Sequence, residues 1–521
     1  MGKTRIEVKG YGLIEVEEGL SLIDIFRNKG IDLAFDCDGM GLCGSCKVKF
    51  LYGAPVPLPK EKTALSQGLL NQGYRLACLH KAGPSMVIEI PSAKGEFEIS
   101  HMISSKTPKR AGIAVDLGTT NIVIASVDMD TGDVAGIANT LNPQVRFGSD
   151  VISRIQACIE DKSVINTQRD MVANAVKGLI SRLGLDHIPI EFISLCGNPT
   201  MTYLFLGLDP SPFATPPFEL MYKGGEIVDG ASILGLNCPI YIFPLISAFV
   251  GGDTTSMIID QDIDEYTGPG MLAIDIGTNS EIVLKRGNIF VCTSAAAGPA
   301  FEGRHIRYGM RAVTGAIERC SMTGGKIHIK VKGSLSPEGI CGSGLIDIVA
   351  EGLKEGIISS RGVIHPRDRT NPLYAAKISE IDGMREISIF KDQRRDIILT
   401  QNDIRQLQLA KAAIRAGAEV LLKDAHVSSL DKVILAGAFG SYMRLKSLHA
   451  IGLFYQSWDT VSMVGDAPLK GAIKVLKDKN LLSRLKAIAS TMKYMHLSER
   501  PCFQEYLIRL IDFPLARDRE V

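Results

Sequence analysis

The sequence has no excess of charge of either sign and no long apolar run. Its 58 Lys and Arg against 57 Asp and Glu give a net charge of +1, which indicates neither a nucleic-acid-binding surface nor an acidic tail. The longest apolar candidate, PIYIFPLISAFVGG, contains prolines and is shorter than the ~18–20 residues that a membrane span needs. The opening MGKTRIEVKG lacks the apolar stretch of a signal peptide. We therefore expect a cytoplasmic protein that binds neither nucleic acid nor a membrane.

Two common motifs are also missing. The nine histidines form no H-x-x-H or H-E-x-x-H pair, which argues against a histidine-based metal site. The motif G-x4-G-K-[ST] is absent, so a P-loop ATPase is not expected. The composition is otherwise ordinary, with 45% hydrophobic, 22% charged and 6% aromatic residues among 521. At about 150 residues per domain, this length predicts three or four domains.

Four of the eleven cysteines have a distinctive spacing. Cys37-x5-Cys43-x2-Cys46 is followed by a distant Cys78. A structural zinc site usually takes its ligands from two short pairs, whereas three clustered cysteines and one remote cysteine resemble the ferredoxin spacing C-x4-C-x2-C…C with one added residue. The pattern predicts a [2Fe–2S] cluster on these four thiolates and leaves zinc as the alternative. Disulfides are not expected in a reducing compartment.

The segments around the cysteine cluster predict a small α+β domain. TRIEVKG, GLIEVEE, CKVKFLYG and SMVIEIP are typical of strands, and SLIDIFRNKG is typical of a helix that stops at Gly30. Strand, strand, helix, cluster loop and strand is the order of a β-grasp ferredoxin. We therefore expect a ferredoxin-type domain over residues 1–91. Residues 92–110 are polar and rich in Ser and Lys, which predicts a linker.

The other cysteines are predicted to be structural. Cys341 lies in a glycine turn that leads into a helix, and Cys502 stands alone near the C-terminus, so no second cluster is indicated. The remaining five stand singly among apolar neighbours and are expected in the core. These five are Cys158, Cys196, Cys238, Cys292 and Cys320.

A D-x-G-T motif occurs twice, each time between two apolar strands. AGIAVDLGTTNIVIASV carries Asp116, and MLAIDIGTNSEIVL carries Asp275. Two such hairpins resemble the phosphate-1 and phosphate-2 loops of the acetate and sugar kinase, heat-shock chaperone and actin (ASKHA) superfamily. The glycine lets backbone N–H groups approach phosphate oxygens, and the hydroxyls add donors. The residues predicted to contact phosphate are Gly118, Thr119, Thr120, Gly277, Thr278 and Asn279.

A third glycine-rich segment, DKVILAGAFGSYM, predicts the adenosine loop of such a site. A strand there runs into Gly437 and Gly440, and the preceding DIRQLQLAKAAIRAGAEVLLKDA has the apolar spacing of a long helix packed beneath that strand. These features predict a two-lobed α/β ATPase domain that binds ATP with Mg²⁺. Lobe I is expected over residues 111–245, and lobe II over residues 246–521.

A ferredoxin domain joined to this ATPase fold resembles one family, the reductive activators of corrinoid proteins, also called corrinoid activation enzymes. The resemblance implies ATP-dependent one-electron reduction of Co(II) to Co(I) in the corrinoid protein of a methyltransferase system, through the [2Fe–2S] cluster. It also implies a reduced ferredoxin or flavodoxin as electron donor and an anaerobic setting, and it alone suggests a homodimer. The stretches that carry the resemblance include NPQVRFGSDVISRI, GNPTMTYLFLGLDP, PLISAFVGGDTTS, SAAAGPAFEGRHIRYGMRAVTGAIE and GICGSGLID.

The resemblance implies roles for individual residues. Asp116 and Asp275 would handle Mg²⁺ and the attacking water. Asp253, in FVGGDTTS, is a candidate base or Mg²⁺ ligand, with a helix N-cap as the alternative. Gly298 and Glu302, in AGPAFEG, are further candidates for the nucleotide site.

Two positions depart from the family's pattern. Asp466 stands where the pattern has asparagine, and Tyr455 stands where it has proline. We expect both departures to alter only loop geometry in lobe II and to leave the phosphate loops untouched.

Three other functions stay open at the level of sequence. A ferredoxin-fused ASKHA kinase would phosphorylate a small alcohol or acid, although phosphoryl transfer needs no electron. An ATP-driven electron donor to another low-potential enzyme, such as a 2-hydroxyacyl-CoA dehydratase, would use the same lobes with a [4Fe–4S] cluster at a dimer interface. A redox-reporting sensor would bind nucleotide without ATPase activity. Counting iron per chain separates the two electron donors.

Overall fold

A computed structural model of the protein describes residues 3–9, 11–17, 19–29, 46–65, 67–90, 107–334, 336–393, 395–437, 443–458 and 460–514. Cys37, Cys43, Gly440 and most of the predicted linker lie outside these residues.

The N-terminal region forms a small mixed sheet with short helices. Strand β1 pairs parallel with β5, and the other pairs are antiparallel, in the order β2-β1-β5-β3-β4. Alternating side chains such as Ile6, Val48 and Ile88 are buried against Phe26 of the first helix. The predicted β-grasp domain is confirmed. Its elements are β1 (Lys3–Val8), β2 (Gly12–Glu17), α1 (Leu22–Asn28), β3 (Lys47–Tyr52), α2 (Pro59–Ala64), α3 (Gln67–Asn71), β4 (Tyr74–Leu76) and β5 (Met86–Glu89).

The next region, lobe I, is built on a twisted sheet with the strand order β10-β11-β9-β6-β7-β8. Strands β6, β7 and β8 form an antiparallel meander, and β9 and β11 continue the sheet parallel to β6. Its elements are β6 (Ala111–Leu117), β7 (Asn121–Asp128), β8 (Val134–Leu141), α4 (Val151–Glu160), α5 (Ser163–Arg182), β9 (Ile190–Gly197), α6 (Pro199–Leu206), β10 (Glu226–Asp229), α7 (Gly230–Leu234) and β11 (Pro239–Ile242).

Lobe II repeats this design on a second sheet, in the order β22-β21-β12-β13-β14-β23. Strands β12, β13 and β14 again form a meander, and β21 and β22 run parallel to β12. The repeat confirms the two-lobed ASKHA fold. The elements on this sheet and its flanks are α8 (Gly252–Gln261), β12 (Met271–Asp275), β13 (Ser280–Arg286), β14 (Ile289–Ala295), α9 (Gly342–Lys354), α10 (Gln401–Asp424), β21 (Lys432–Ala436), α11 (Leu445–Ala450), β22 (Val461–Gly465), α12 (Ala467–Lys477), α13 (Leu481–Thr491), β23 (Lys493–Tyr494) and α14 (Pro501–Arg509).

Two smaller sheets complete lobe II. They are β15 (Ala316–Thr323) with β16 (Lys326–Val331) and β17 (Gly339–Ile340), and β18 (Ile378–Ile381) with β19 (Met384–Lys391) and β20 (Asp396–Thr400). Within the described residues, no helix is long and apolar enough to cross a membrane. The predicted domain boundaries stay predictions.

Helices α8 and α12 lie between the two large sheets and join the lobes. A Cβ on Gly471 of α12 would lie 2.1 Å from the carbonyl oxygen of Ser256 in α8, so only glycine allows this approach. The Ser256 hydroxyl donates to the carbonyl of Pro468 at 2.6 Å, and the Ser194 hydroxyl of β9 donates to the carbonyl of Ala472 at 2.7 Å. Helix α12 of lobe II is therefore held against a strand of lobe I, directly beside the phosphate-1 hairpin.

The long predicted helix is α10, which begins with a capping box between Thr400 and Asp403. It packs against α14 and against β13 and β14, and a Cβ on Gly417 would lie 2.8 Å from Cδ1 of Ile282. Val433 and Leu435 of β21 lie in the same hydrophobic core as Ile414 and Leu421 of α10, which agrees with the predicted packing of this helix beneath β21. The five single cysteines predicted for the core are all buried, and so is Cys341.

Candidate functional site

The first D-x-G-T hairpin joins β6 to β7, and lobe I fixes its backbone. A Cβ on Gly118 would lie 2.7 Å from the carbonyl oxygen of Asn121, so the turn closes only around glycine. Asn142 donates from Nδ2 to the carbonyl of Gly118 and from its backbone N–H to that of Thr120, both at 2.9 Å. Two carbonyls of the turn are thus fixed by one side chain and one backbone group of lobe I.

Arg154 and Asn198 complete this support. Arg154 Nη2 donates to the carbonyl of Thr119 at 2.6 Å, and Asn198 Nδ2 donates to the Thr119 hydroxyl at 2.9 Å. Arg154 has no exposed surface, and burial lowers the pKa of its guanidinium to about 9. The side chain also donates to Gln144 Oε1 at 3.2 Å. A buried guanidinium whose N–H groups donate to carbonyl oxygens supports a loop rigidly. The sequence motifs did not identify Arg154 as a residue of the site.

The second hairpin joins β12 to β13 and carries Gly277, Thr278 and Asn279 at its turn. The N–H of Gly298 donates to the carbonyl of Thr278 at 2.9 Å. The Thr278 hydroxyl donates to Oε1 of Glu302 at 2.6 Å, and the Thr120 hydroxyl of the first hairpin donates to Oε2 of the same carboxylate at 3.3 Å. The two predicted phosphate loops therefore face each other across one side chain.

The predicted adenosine loop begins beside the second hairpin. Gly437 has a φ of +99°, and its N–H donates to the carbonyl of Gly465 at 3.0 Å. A Cβ at this position would lie 2.8 Å from the carbonyl oxygen of Ile276 and 2.9 Å from Oδ1 of Asp275. The end of β21 thus touches the phosphate-2 loop, as a shared nucleotide site requires. Gly440 lies outside the described residues.

The three predicted catalytic aspartates come together between the lobes. Burial raises the pKa of Asp116 well above its ordinary value, and neighbouring carboxylates, first that of Asp466, raise it further. Burial, then the charges of Asp253 and Asp466, raise the pKa of Asp275 to about 7. Burial also raises the pKa of Asp253 to about 6. Because the charge of Asp253 raises the pKa of both Asp116 and Asp275, these three carboxylates form one acidic centre.

Asp253 is not the N-cap of its helix. Gly251 caps α8, and Asp253 lies in the first turn, where its Oδ1 accepts the backbone N–H of Thr254 at 2.8 Å. The N-cap alternative was therefore wrong. The position leaves the carboxylate inside the acidic centre.

Asp466 also belongs to the acidic centre, which corrects the expectation that it leaves the phosphate loops untouched. It caps α12 by accepting the N–H of Leu469 at 3.0 Å. Since α12 packs against lobe I, this cap brings its negative charge close to Asp116. A cap position looks local in sequence, and only the packing of α12 reveals the second contact.

Glu281 is a further acid that motif reading missed. It pairs directly with Asp275 across the β12–β13 hairpin, whereas Asp116 pairs with the apolar Val123 in the first hairpin. Its carboxyl accepts the Ser294 hydroxyl at 3.3 Å. Burial raises the pKa of Glu281 well above its ordinary value, and Asp253 and Asp275 add to the shift. The sequence does distinguish the two hairpins at this point. An acid stands at the start of the strand after the second turn, whereas an apolar residue stands at the matching place after the first turn.

Replacing Glu281 by glutamine is expected to stabilise the nucleotide-free protein at alkaline pH. In the folded wild type, burial favours the protonated form of the Glu281 carboxyl. Its contribution to the free energy of unfolding is therefore fully present below the unfolded pKa near 4.5, and it is lost as pH rises towards the higher folded pKa. Glutamine does not titrate, and the advantage of the variant should grow by about 1.4 kcal/mol per pH unit in that window. Thermal melting in EDTA at several pH values measures it.

Glu219, which is exposed, provides the control for that experiment. Glu219→Gln should follow the wild-type melting temperature at every pH. An advantage of Glu281→Gln that stays constant between pH 5 and pH 8 would contradict a raised folded pKa.

The acidic centre fits a magnesium–nucleotide complex better than a bare metal ion. Within the described ranges, no three His, Cys, Asp or Glu side chains are close enough together to hold a metal on their own. Mg²⁺ normally keeps several waters and is bound by one or two carboxylates together with substrate phosphates. Buried carboxylates that repel one another beside two phosphate loops meet that requirement.

Two of the four predicted cluster ligands also meet. The sulfurs of Cys46, directly before β3, and Cys78, after β4, lie 3.2 Å apart, well beyond the ~2.05 Å of a disulfide. Glu61 holds the Cys78 turn from both sides. Its Oε1 accepts the N–H of Leu76 at 2.6 Å, and its Oε2 lies 2.8 Å from Nε2 of His80. Converging cysteine sulfurs are the donors that iron–sulfur clusters use. Cys37 and Cys43 lie outside the described residues.

Family profiles match three successive parts of the chain. A "2Fe-2S iron-sulfur cluster binding domain" matches residues 6–83, the "RACo middle region" matches residues 111–266, and the "C-terminal domain of RACo the ASKHA domain" matches residues 270–520. These ranges follow the small mixed sheet and the two lobes of the structure.

Individual relatives agree with these profiles. The chain is 33% identical over 455 residues to "Corrinoid activation enzyme RamQ" of Eubacterium limosum, which covers 83% of this chain and 74% of that one. It is 24% identical over 422 residues to "[Co(II) methylated amine-specific corrinoid protein] reductase" of Methanosarcina barkeri, covering 74% and 73%. The solved structure of a "Reductive activator for corrinoid,iron-sulfur protein" superposes with a TM-score of 0.70 at 28% identity over 98% of both chains. The chain therefore belongs to the RACo family of corrinoid activation enzymes, with an N-terminal ferredoxin-type domain and a C-terminal ASKHA domain.

Proposed function

We propose that this protein reduces the cobalt of a partner corrinoid protein from Co(II) to Co(I), with ATP hydrolysis as the source of free energy. The [2Fe–2S] cluster that Cys37, Cys43, Cys46 and Cys78 would hold would supply this one electron, and a reduced ferredoxin or flavodoxin would be the electron source. ATP and water give ADP and phosphate in the same cycle. The partner belongs to a methyltransferase system, and the activator works as a homodimer.

The observation that carries the proposal is the meeting of both phosphate loops at Glu302 in a chain that also brings Cys46 and Cys78 together. A kinase explains the first of these features and a ferredoxin explains the second. Only coupled electron transfer uses both. The names of the similar proteins support corrinoid as the electron acceptor.

The phosphate loops would bind the triphosphate from two sides. Gly118, Thr119 and Thr120 face it from lobe I, and Gly277, Thr278 and Asn279 face it from lobe II. Arg154 and Asn142 keep the first loop in shape through its carbonyls. Gly298 and Glu302 support the second loop, and Gly437 and Gly440 leave room for adenosine.

The acidic centre would position Mg²⁺ and water. Bound Mg²⁺ neutralises charge on the phosphates. Asp116 and Asp253 lie where a hydrated cation reduces their mutual repulsion. Asp275, whose pKa of about 7 is close to neutral pH, can accept a proton from the attacking water.

The cysteines Cys37, Cys43, Cys46 and Cys78 would hold the [2Fe–2S] cluster, which supplies reversible one-electron transfer. Glu61 and His80 fix the turn that carries Cys78.

Coupling of ATP hydrolysis to electron transfer explains why one chain contains both an ASKHA domain and a ferredoxin-type domain. Each ~59 mV of uphill one-electron transfer costs about 1.4 kcal/mol and lowers the equilibrium yield tenfold. A gap of several such steps leaves almost no Co(I) unless another reaction drives it. The nucleotide can do so only if its state changes the affinity of the lobes for the partner.

The test mixes the dithionite-reduced holoprotein anaerobically with a candidate corrinoid protein and follows the cobalt absorption spectrum. Co(I) should accumulate with MgATP and should fail to accumulate with MgADP or without nucleotide. Equal rates of Co(I) formation with nucleotide omitted would overturn the proposal. ATP-dependent phosphorylation of a small alcohol or acid would instead support a kinase.

A further inference from the structure

Glu302 is the one charged side chain in the described part of the chain that is seen to accept hydrogen bonds from both phosphate loops. Thr120 of the first hairpin donates to Oε2 at 3.3 Å, and Thr278 of the second donates to Oε1 at 2.6 Å. The side chain is only 7% exposed. Thr120 belongs to lobe I and Thr278 to lobe II, so the carboxylate links the lobes.

The backbone of Glu302 moves with lobe II. The side chain ends a short 3₁₀ turn, Pro299–Glu302, which begins at Gly298 with a φ of +75° and is followed by Gly303 with the same φ. Gly298 is bonded to Thr278, as described above. Of the two threonine bonds to Glu302, the one from Thr120 therefore crosses between the lobes.

The same turn is packed tightly against helix α9. A Cβ on Gly342, the first residue of α9, would lie 1.8 Å from the carbonyl oxygen of Phe301. Phe301 itself is completely buried. A close-packed contact of this kind transmits a displacement instead of absorbing it, so a movement of Glu302 reaches the body of lobe II.

The two threonine hydroxyls cannot serve Glu302 and a phosphate at the same time. A hydroxyl has one proton to donate, and these are the hydroxyls that the proposed site offers to the nucleotide. A carboxylate placed between them also repels an incoming phosphate. Arg304 lies nearby, with Nε 3.9 Å from Oε2, and provides a second place for the carboxylate.

We propose that Glu302 is a bridge between the lobes that the terminal phosphate of ATP displaces. Without ATP, the carboxylate holds Thr120 and Thr278 together. When ATP binds, its terminal phosphate takes both hydroxyls, Glu302 turns to Arg304, and the 3₁₀ turn shifts against α9. Lobe II thereby distinguishes ATP from ADP, whose shorter phosphate chain does not reach both hydroxyls. The proposal rests on the nucleotide site of the proposed function and adds to it a residue that senses the nucleotide state.

Nucleotide affinity of the full-length holoprotein tests this bridge. Glu302→Gln keeps the shape and removes the charge, so it should bind the non-hydrolysable analogue AMP-PNP roughly tenfold more tightly than wild type in EDTA, the factor that loss of one charged hydrogen bond represents. Its affinity for ADP should stay within about twofold of wild type. Isothermal titration calorimetry measures both. The control Glu160→Gln makes the same change on an exposed residue of α4 and should match wild type.

A second variant and a second readout distinguish the bridge from other roles. Glu302→Asp keeps the repelling charge but is too short to reach both hydroxyls, so it should bind AMP-PNP more tightly than wild type by a smaller factor than Glu302→Gln does. Hydrogen–deuterium exchange at residues 298–304 should rise with AMP-PNP, and not with ADP, in the wild type only. Weaker binding of Glu302→Gln that appears only with Mg²⁺ would make Glu302 a metal ligand and overturn the bridge. Unchanged affinity in both conditions would overturn it as well. Failure of wild type and Glu160→Gln to bind any nucleotide even with Mg²⁺ present would instead remove the proposed function.

Discussion

Replacing Asp275 by asparagine is expected to lower ATP turnover by about 10²- to 10⁴-fold, the range that a positioned general base contributes. The carboxyl lies at the junction of the phosphate-2 hairpin and the adenosine strand, 2.9 Å from where a Cβ on Gly437 would be. Burial and neighbouring charges raise its pKa to about 7, where a base both ionises and accepts protons effectively. Asparagine keeps the shape but cannot take a proton. Phosphate release measures turnover, and calorimetry should show ATP affinity within a few-fold of wild type.

The pH profile separates this role from a structural one. In the wild type, kcat/KM for ATP should rise as pH increases through about 7, because we propose the ionised form of Asp275 as the base and its pKa is raised to about 7. The residual activity of Asp275→Asn should lack that rise. Asp186→Asn is the control, since Asp186 is exposed and lies outside the acidic centre, where it accepts a hydrogen bond from the Ser181 hydroxyl at 2.5 Å. Wild-type turnover in Asp275→Asn would reject the assigned role.

Local patterns were enough to predict most of the architecture. The two D-x-G-T turns predicted two hairpins, and the structure places each between paired strands, with Asp116 and Asp275 at corresponding positions. The apolar run before Gly437 predicted β21. These predictions succeed because a strand's alternation and a turn's glycine depend on residues that are close in sequence.

The parts of the site that sequence reasoning missed depend on contacts between distant segments. Asp466 is unremarkable as the cap of α12 until that helix packs against lobe I. Glu281 matters because of its cross-strand partner, which a linear motif does not show. Arg154 reaches the phosphate-1 loop from a helix 35 residues further along the chain. The sequence gives no reason to rank Glu302 above its neighbours. Its contact with both predicted phosphate loops is visible only in the folded structure, where the two lobes face each other.

The cluster ligands lead to the second large expected effect. Replacing Cys78 by serine should remove the [2Fe–2S] cluster, with iron falling from about two per chain to near zero and the visible iron–sulfur absorption lost. The Cys78 sulfur lies 3.2 Å from that of Cys46, and the Glu61 carboxylate holds the turn in place whether or not a thiol is present. The β-grasp core should therefore persist while the donor is lost. Under the proposed function, reduction of Co(II) should fall to background, whereas ATP turnover, which we assign to lobes I and II, should be retained.

Comparison with another thiol makes this experiment decisive. Cys502, half-buried on α14, stands apart from the predicted ligands. Cys502→Ser should keep its iron, its spectrum and its cobalt reduction. If Cys78→Ser retained two irons per chain with an unchanged visible spectrum, Cys78 would not be a ligand, because exchange of a coordinating sulfur for oxygen alters the iron–sulfur absorption. If both activities disappeared together in Cys78→Ser while the chain stayed folded, the cluster and the nucleotide site would depend on each other more tightly than separate domains allow.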